Sequence, residues 1–136
     1  MRRARRNRQM NRKGVAATET AVILPIFVGI VLGCIEACTM IFLKQSLEIA
    51  AYEACRSTLV QKSTTYGVTA QAQKILSSRR IQKATVTIDP PNFQSQPYGT
   101  FIKVTVSAPC NANSSFAPWF YKGRVLAGEV EMMKEY

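Results

Sequence analysis

From Val15 to Leu43 the chain runs for 29 residues with only two charges, Glu19 and Glu36, and this stretch limits the fold more than any other. As a helix rising 1.5 Å per residue it would extend about 43 Å, more than the ~30 Å hydrocarbon core of a bilayer. Directly before it lies a basic tail. Arg2, Arg3, Arg5, Arg6, Arg8, Arg12 and Lys13 precede Gly14 with no acid among them. A basic stretch ahead of an apolar span marks the cytoplasmic side. The expected arrangement is a single-pass membrane protein, its N-terminus inside and its C-terminal part exported.

The tail also accounts for most of the net charge of +10. After Gly14 the sequence carries eleven basic against eight acidic residues, so the folded part is close to neutral. Nucleic acid is therefore not an expected partner. The folded part offers no basic groove with interleaved aromatics and no helix-turn-helix or RNP pattern.

Pro25 lies inside the apolar run and is expected to kink the helix without ending it, because apolar residues continue on both sides. Polar residues arrive at Lys44-Gln45-Ser46, but helical spacing persists beyond them. Leu47, Ala50, Ala51, Ala54 and Leu59 keep one face apolar. The pattern predicts one helix from near Val15 to about Val60, half in the bilayer and half outside. Thr64-Thr65-Tyr66-Gly67 reads as a turn, and Val68, Ala72, Ile75 and Leu76 then mark a short second helix ending near Ser78.

Beyond Ser78 the period changes to two. Ala84–Ile88 and Ile102–Ser107 alternate, and Leu126, Val130 and Met132 share a face opposite Glu129 and Glu131. The expected fold is α+β: a long N-terminal transmembrane helix extended outside the membrane, a short second helix and a small antiparallel sheet of about three strands. A helix laid on one apolar sheet face is a stable two-layer arrangement. The predicted organisation is a cleaved basic leader at 1–14, a transmembrane helix at 15–43 and an exported α+β domain at 44–136.

The most informative block opens the apolar run: Arg12-Lys13-Gly14-Val15-Ala16-Ala17-Thr18-Glu19-Thr20-Ala21-Val22-Ile23-Leu24-Pro25. An acid in a membrane helix is costly, so a function is the default reading of Glu19. Gly14 has no Cβ, which lets a peptidase bind the backbone closely at that bond. Cleavage after Gly14 would give Val15 a positive α-amino group. Glu19 would then lie in the first turns of the new helix, where the dipole favours an anion.

This block resembles the N-terminal signature of TadE-like proteins, in which a glycine is followed by an acid at the fifth mature position and a long apolar helix. Gly128-Glu129-Val130-Glu131-Met132-Met133-Lys134-Glu135 is similar to the last strand of that family. Thr18 and Thr20 depart from it, standing where Val and Phe are more usual. The resemblance implies a minor pilin or pseudopilin of the tight-adherence pilus system, acting in pilus assembly, adhesion or secretion. It implies a cleavage site at Gly14/Val15, recognition and assembly through Glu19, and as partners a prepilin peptidase, other pilin subunits and the pilus assembly platform. The alternative is an uncleaved single-pass accessory or binding protein of an envelope or secretion complex. A lipid attached at Cys34, after Val31-Leu32-Gly33, is disfavoured because apolar sequence continues past it.

The four cysteines form no CxxC, and with no histidine a Cys/His zinc site is excluded, so no metal or cofactor is expected. Cys55 and Cys110 both fall in the exported part. They either form a disulfide closing a loop of about 55 residues, worth ~4 kcal/mol, or serve separately as a helix-face residue and a loop thiol. Phe116, Trp119, Phe120 and Tyr121 cluster between the second and third strands. Core packing over the sheet end is their favoured use, with an exposed patch for subunit contacts as the alternative. No catalytic grouping emerges, and the chain is not expected to be an enzyme.

Overall fold

A computed structural model describes residues 3–60 and 62–135, with side chains from Gly14 onward. The basic side chains of the leader lie outside the described ones. Helix α1 spans Arg3–Thr58 and α2 spans Thr65–Ser78. They precede strand β1 (Thr85–Asp89), a 3-10 turn (Phe93–Ser95), β2 (Phe101–Pro109), a one-turn helix α3 (Cys110–Asn113) and β3 (Val125–Met133). The α+β class and all three strands agree with the sequence. The chain divides into two compact units, Met1–Ile35 and Glu36–Tyr136.

In the first unit the apolar side chains of α1 face outward in every direction, Val22, Ile23, Leu24, Ile26 and Phe27 among them. From Gly14 onward α1 contains a segment long and apolar enough to cross a membrane. The helix passes through Pro25. Its start lies ahead of Val15, the beginning expected; Arg, Ala, Gln, Met and Lys, which dominate the leader, are good helix formers.

The second unit is two-layered. Leu43, Leu47, Ala50, Ala51, Ala54 and Cys55 of α1 are buried at spacings of i, i+4, i+7, i+8, i+11 and i+12. They meet Val68, Ala72 and Leu76 of α2 and the inner face of the sheet, where Ile88, Ile102, Val104, Val106 and Ala108 are buried. The sheet is an antiparallel meander in the order β1-β2-β3. Val86 pairs with Val106, and Val106 with Gly128, so one row of inner-face positions runs straight across. Lys103 and Glu129 form an ion pair at 2.6 Å on the outer face.

Gly128 is the point of closest approach. A Cβ there would lie 2.5 Å from the Leu47 carbonyl carbon and from the Glu48 nitrogen, and 2.7 Å from the Leu47 oxygen. A glycine within a strand often marks such a backbone crossing, and the alanines of α1 allow the helix to sit this low.

Three details add to the expectations. The second compact unit begins at Glu36, ahead of the exported domain expected at 44–136, and buries both Glu36 and Leu43. Apolar composition cannot distinguish a residue facing lipid from one facing a protein core. Thr64–Gly67 is not a free turn: Thr64 caps α2, its hydroxyl accepting from the Gly67 nitrogen at 3.1 Å. Phe93, in the link after β1, is fully buried. Its loop is held by Lys134, whose ammonium donates to the carbonyls of Phe93, Gln94 and Gln96 at 3.2, 2.9 and 2.8 Å.

Candidate functional site

The sequence-predicted site residues Gly14, Val15 and Glu19 lie on α1 in the first unit. Gly14 is exposed, with open space where a Cβ would project. Val15 and Glu19 are four residues apart and therefore share a helix face. Both are exposed. Thr18 and Thr20, on either side of the acid, satisfy their own hydroxyls. Thr18 donates to the Val15 carbonyl at 2.8 Å and Thr20 to the Ala16 carbonyl at 2.9 Å. Such back-bonding lets a hydroxyl sit in an apolar phase at little cost. Glu19 makes no hydrogen bond or ion pair with any described residue, so its carboxylate is available to a group from outside.

The other acid of the apolar run behaves differently. Glu36 is 6% exposed and is the first residue of the second unit. Its Oε1 accepts from the Ser114 hydroxyl at 2.5 Å. Its Oε2 accepts from the backbone nitrogens of Ser115 and Phe116 at 3.2 and 3.0 Å. A buried carboxylate needs such donors, and all three come from one loop, 78 to 80 residues further along the chain. In the sequence Glu36 stands out only as a charge in an apolar run. An acid 21 residues after Val15, at the end of a bilayer's length of helix, was the available signal.

That loop carries the aromatic cluster. Phe116, Trp119 and Phe120 are 54, 76 and 61% exposed, so the expected core role is not theirs. The inner sheet face is already covered by α1 and α2, which leaves no core for these rings to enter.

Cys55 and Cys110 are both buried free thiols. The Cys55 thiol donates to the Ile102 carbonyl at 3.4 Å, near the start of β2. Cys110 follows the last residue of that strand, eight residues or about 26 Å away. The considered disulfide is therefore not made, because its partners belong to opposite ends of the sheet. Burial pushes both thiols above their ordinary range, which keeps them protonated and poor nucleophiles.

The helix and its motif are also what other proteins share with this chain. No curated protein and no solved structure matches it. A family model does, and the match begins at Gly14, takes in Glu19 and Glu36, and stops two residues before α1 ends. Over residues 14–56, about a third of its length, the chain is similar to the TadE-like protein family.

Proposed function

We propose that this protein is a structural, pilin-like subunit of the tight-adherence pilus machinery, anchored in the inner membrane by α1. The observation that carries this reading is the placement of Gly14, Val15 and Glu19 at the mouth of a membrane-length helix that itself matches the TadE-like family. The span runs from about Gly14 to Ile35, after which the second unit begins. Those 22 residues rise about 33 Å as a helix, close to the thickness of the hydrocarbon core. The basic leader stays in the cytoplasm and the second unit is exported.

A prepilin peptidase cuts between Gly14 and Val15. The new α-amino group of Val15 and the unpartnered carboxylate of Glu19 are then complementary charges on exposed positions of one helix face. In an array of parallel helices each amine meets the acid of a neighbouring pilin. The role is assembly or priming of a pilus, with no catalysis by this chain.

N-terminal sequencing of the protein taken from membranes tests the maturation step. The expected sequence begins Val15-Ala16-Ala17-Thr18-Glu19, and Gly14→Leu leaves the longer precursor. A protein that retains Met1 and the leader in cells with an active peptidase would refute it in favour of an uncleaved anchored accessory protein.

A further inference from the structure

The loop between α3 and β3 exposes three large aromatic rings yet is not loosely held. Phe120 stacks edge-on with Trp119 at 6.5 Å and with Tyr121 at 5.2 Å. The Arg124 guanidinium lies 5.8 Å over the Phe120 ring. The backbone closes on itself through Phe120 N–Ala117 O at 3.0 Å and Arg124 N–Tyr121 O at 3.1 Å. A third bond ties the loop's end to the first residue of α3, the Cys110 nitrogen donating to the Arg124 carbonyl at 2.9 Å.

The three donors on Glu36 fix where this loop sits. Glu36 follows Ile35, the last residue of the proposed span, so the aromatic rings are tied to the residue at which the chain enters the second unit. On the reading that α1 crosses a bilayer, that residue is at the membrane surface. Tryptophan, a ring with a polar edge, favours this depth, and phenylalanine supplies the apolar contact of interfacial segments. The charge agrees: Lys122 and Arg124 are exposed in the same loop, and no acid occurs from Cys110 to Gly128. Aromatic rings flanked by cations match the boundary between acyl chains and lipid phosphates.

We propose that the loop of residues 114–124 is an interfacial membrane anchor, with Phe116, Trp119 and Phe120 in the headgroup region of the leaflet from which α1 emerges and Lys122 and Arg124 on lipid phosphates. Glu36 is the positioning residue, holding the loop at that level. The consequence is a second attachment beside the helix, which presses this end of the exported unit against the bilayer until the subunit is extracted.

Trp119 is the only tryptophan in the chain, so it reports its own environment. The full-length protein is reconstituted in vesicles of phosphatidylcholine and phosphatidylglycerol, with and without bromine on the upper acyl carbons. Flotation with the vesicles tests the anchoring by α1. Trp119 emission is expected to be blue-shifted and to fall about twofold in brominated vesicles, as suits a ring at the interface. Glu36→Ala should weaken that quenching while flotation persists. In the double variant Trp119→Phe with Tyr98→Trp, the reporter is exposed at the other end of β2 and should be indifferent to bromine. Flotation with Trp119 open to aqueous acrylamide and unaffected by bromine would overturn the anchor and leave the membrane span standing. A blue shift without bromine quenching would mean that another protein surface covers the loop, which also overturns it. Failure to float would remove both readings together.

Discussion

Replacing Gly128 with alanine adds one methyl group at the place with least room for it. The new Cβ would lie 2.5 Å from two backbone atoms of α1, the Leu47 carbonyl carbon and the Glu48 nitrogen. Ordinary van der Waals separation between such atoms is about 3.5–4.0 Å, so roughly 1 Å must be found. Neither neighbour can rotate away, because both belong to a helix whose buried stripe runs from Leu43 to Cys55. Either α1 lifts from the sheet, opening gaps beside Val104 and Val130, or β3 bends and strains its pairing with β2. Overpacking a close-fitting core costs about 1–3 kcal/mol, and contacts with backbone fall at the upper end. For a folded unit of this size 1 kcal/mol moves the melting temperature by about 4–8 °C, so a fall of about 10–20 °C is expected. Gly67→Ala is the control. Its Cβ meets only the Thr64 hydroxyl at 3.3 Å, where the gain in helix propensity of ~1 kcal/mol roughly offsets a disturbed cap. Thermal unfolding followed by circular dichroism, on the full chain in detergent micelles, measures both. A Gly128→Ala protein melting within 2 °C of wild type would show that the helix does not sit on β3 as described.

Three further outcomes are expected. Glu19→Gln should leave insertion and the fold of the second unit intact, since a neutral amide is cheaper in lipid. It should reduce co-purification with other pilins at least about tenfold, a pair of charges 4 Å apart being worth about 4 kcal/mol at a surface-like dielectric; unchanged co-purification would make the acid a passenger. Cys55 and Cys110 should resist alkylation in the folded protein and react fully in urea. Because burial raises both thiols in the folded state, their contribution to stability is complete below the ordinary thiol range and declines as pH rises through and above it, so a melting temperature rising from pH 8 to pH 10 would contradict their burial. Lys134→Met should destabilise the second unit by about 1.5–3 kcal/mol, the range for hydrogen bonds to a charged group. Hydrogen exchange should speed up at Phe93–Gln96, and unaltered protection there would show that the lysine is not what holds that loop.

The strands were legible because each has one face to bury and one to expose. Ile102, Val104 and Val106 alternate with Lys103 and Thr105, and that pattern has no helical alternative. The second helix was legible for the same reason at the longer period, except for its first turn. Thr64 is both a good turn residue and a good cap, and only the residues following Gly67 show that the chain goes on as a helix. Phe93 and Gly128 were not legible at all. One is an isolated aromatic among prolines and polar residues, and the other matters only because a helix 80 residues earlier crosses over it.

The two acids of α1 show where sequence reading of the site reached its limit. Glu19 and Glu36 look alike in the sequence: each is a lone carboxylate in an apolar run, and each is costly without a partner. Position separates them only in part, since Glu19 follows a glycine in a recognisable block while Glu36 stands among Cys34, Ile35, Ala37 and Cys38 with no motif around it. What settles the role of Glu36 is a contact across 78 residues, with Ser114 and two backbone amides that carry no sequence signal of their own. The aromatic loop follows the same logic. Phe, Trp and Tyr in a row are equally at home in a core or on a surface, so the rings could be assigned only after the sheet face was seen to be full. The satisfied acid marks where the folded unit starts, while the assembly role proposed for Glu19 rests on its having no partner among the described residues. Partner availability, more than burial or residue type, therefore separates the residue that holds this fold from the residue proposed to join it to a neighbour.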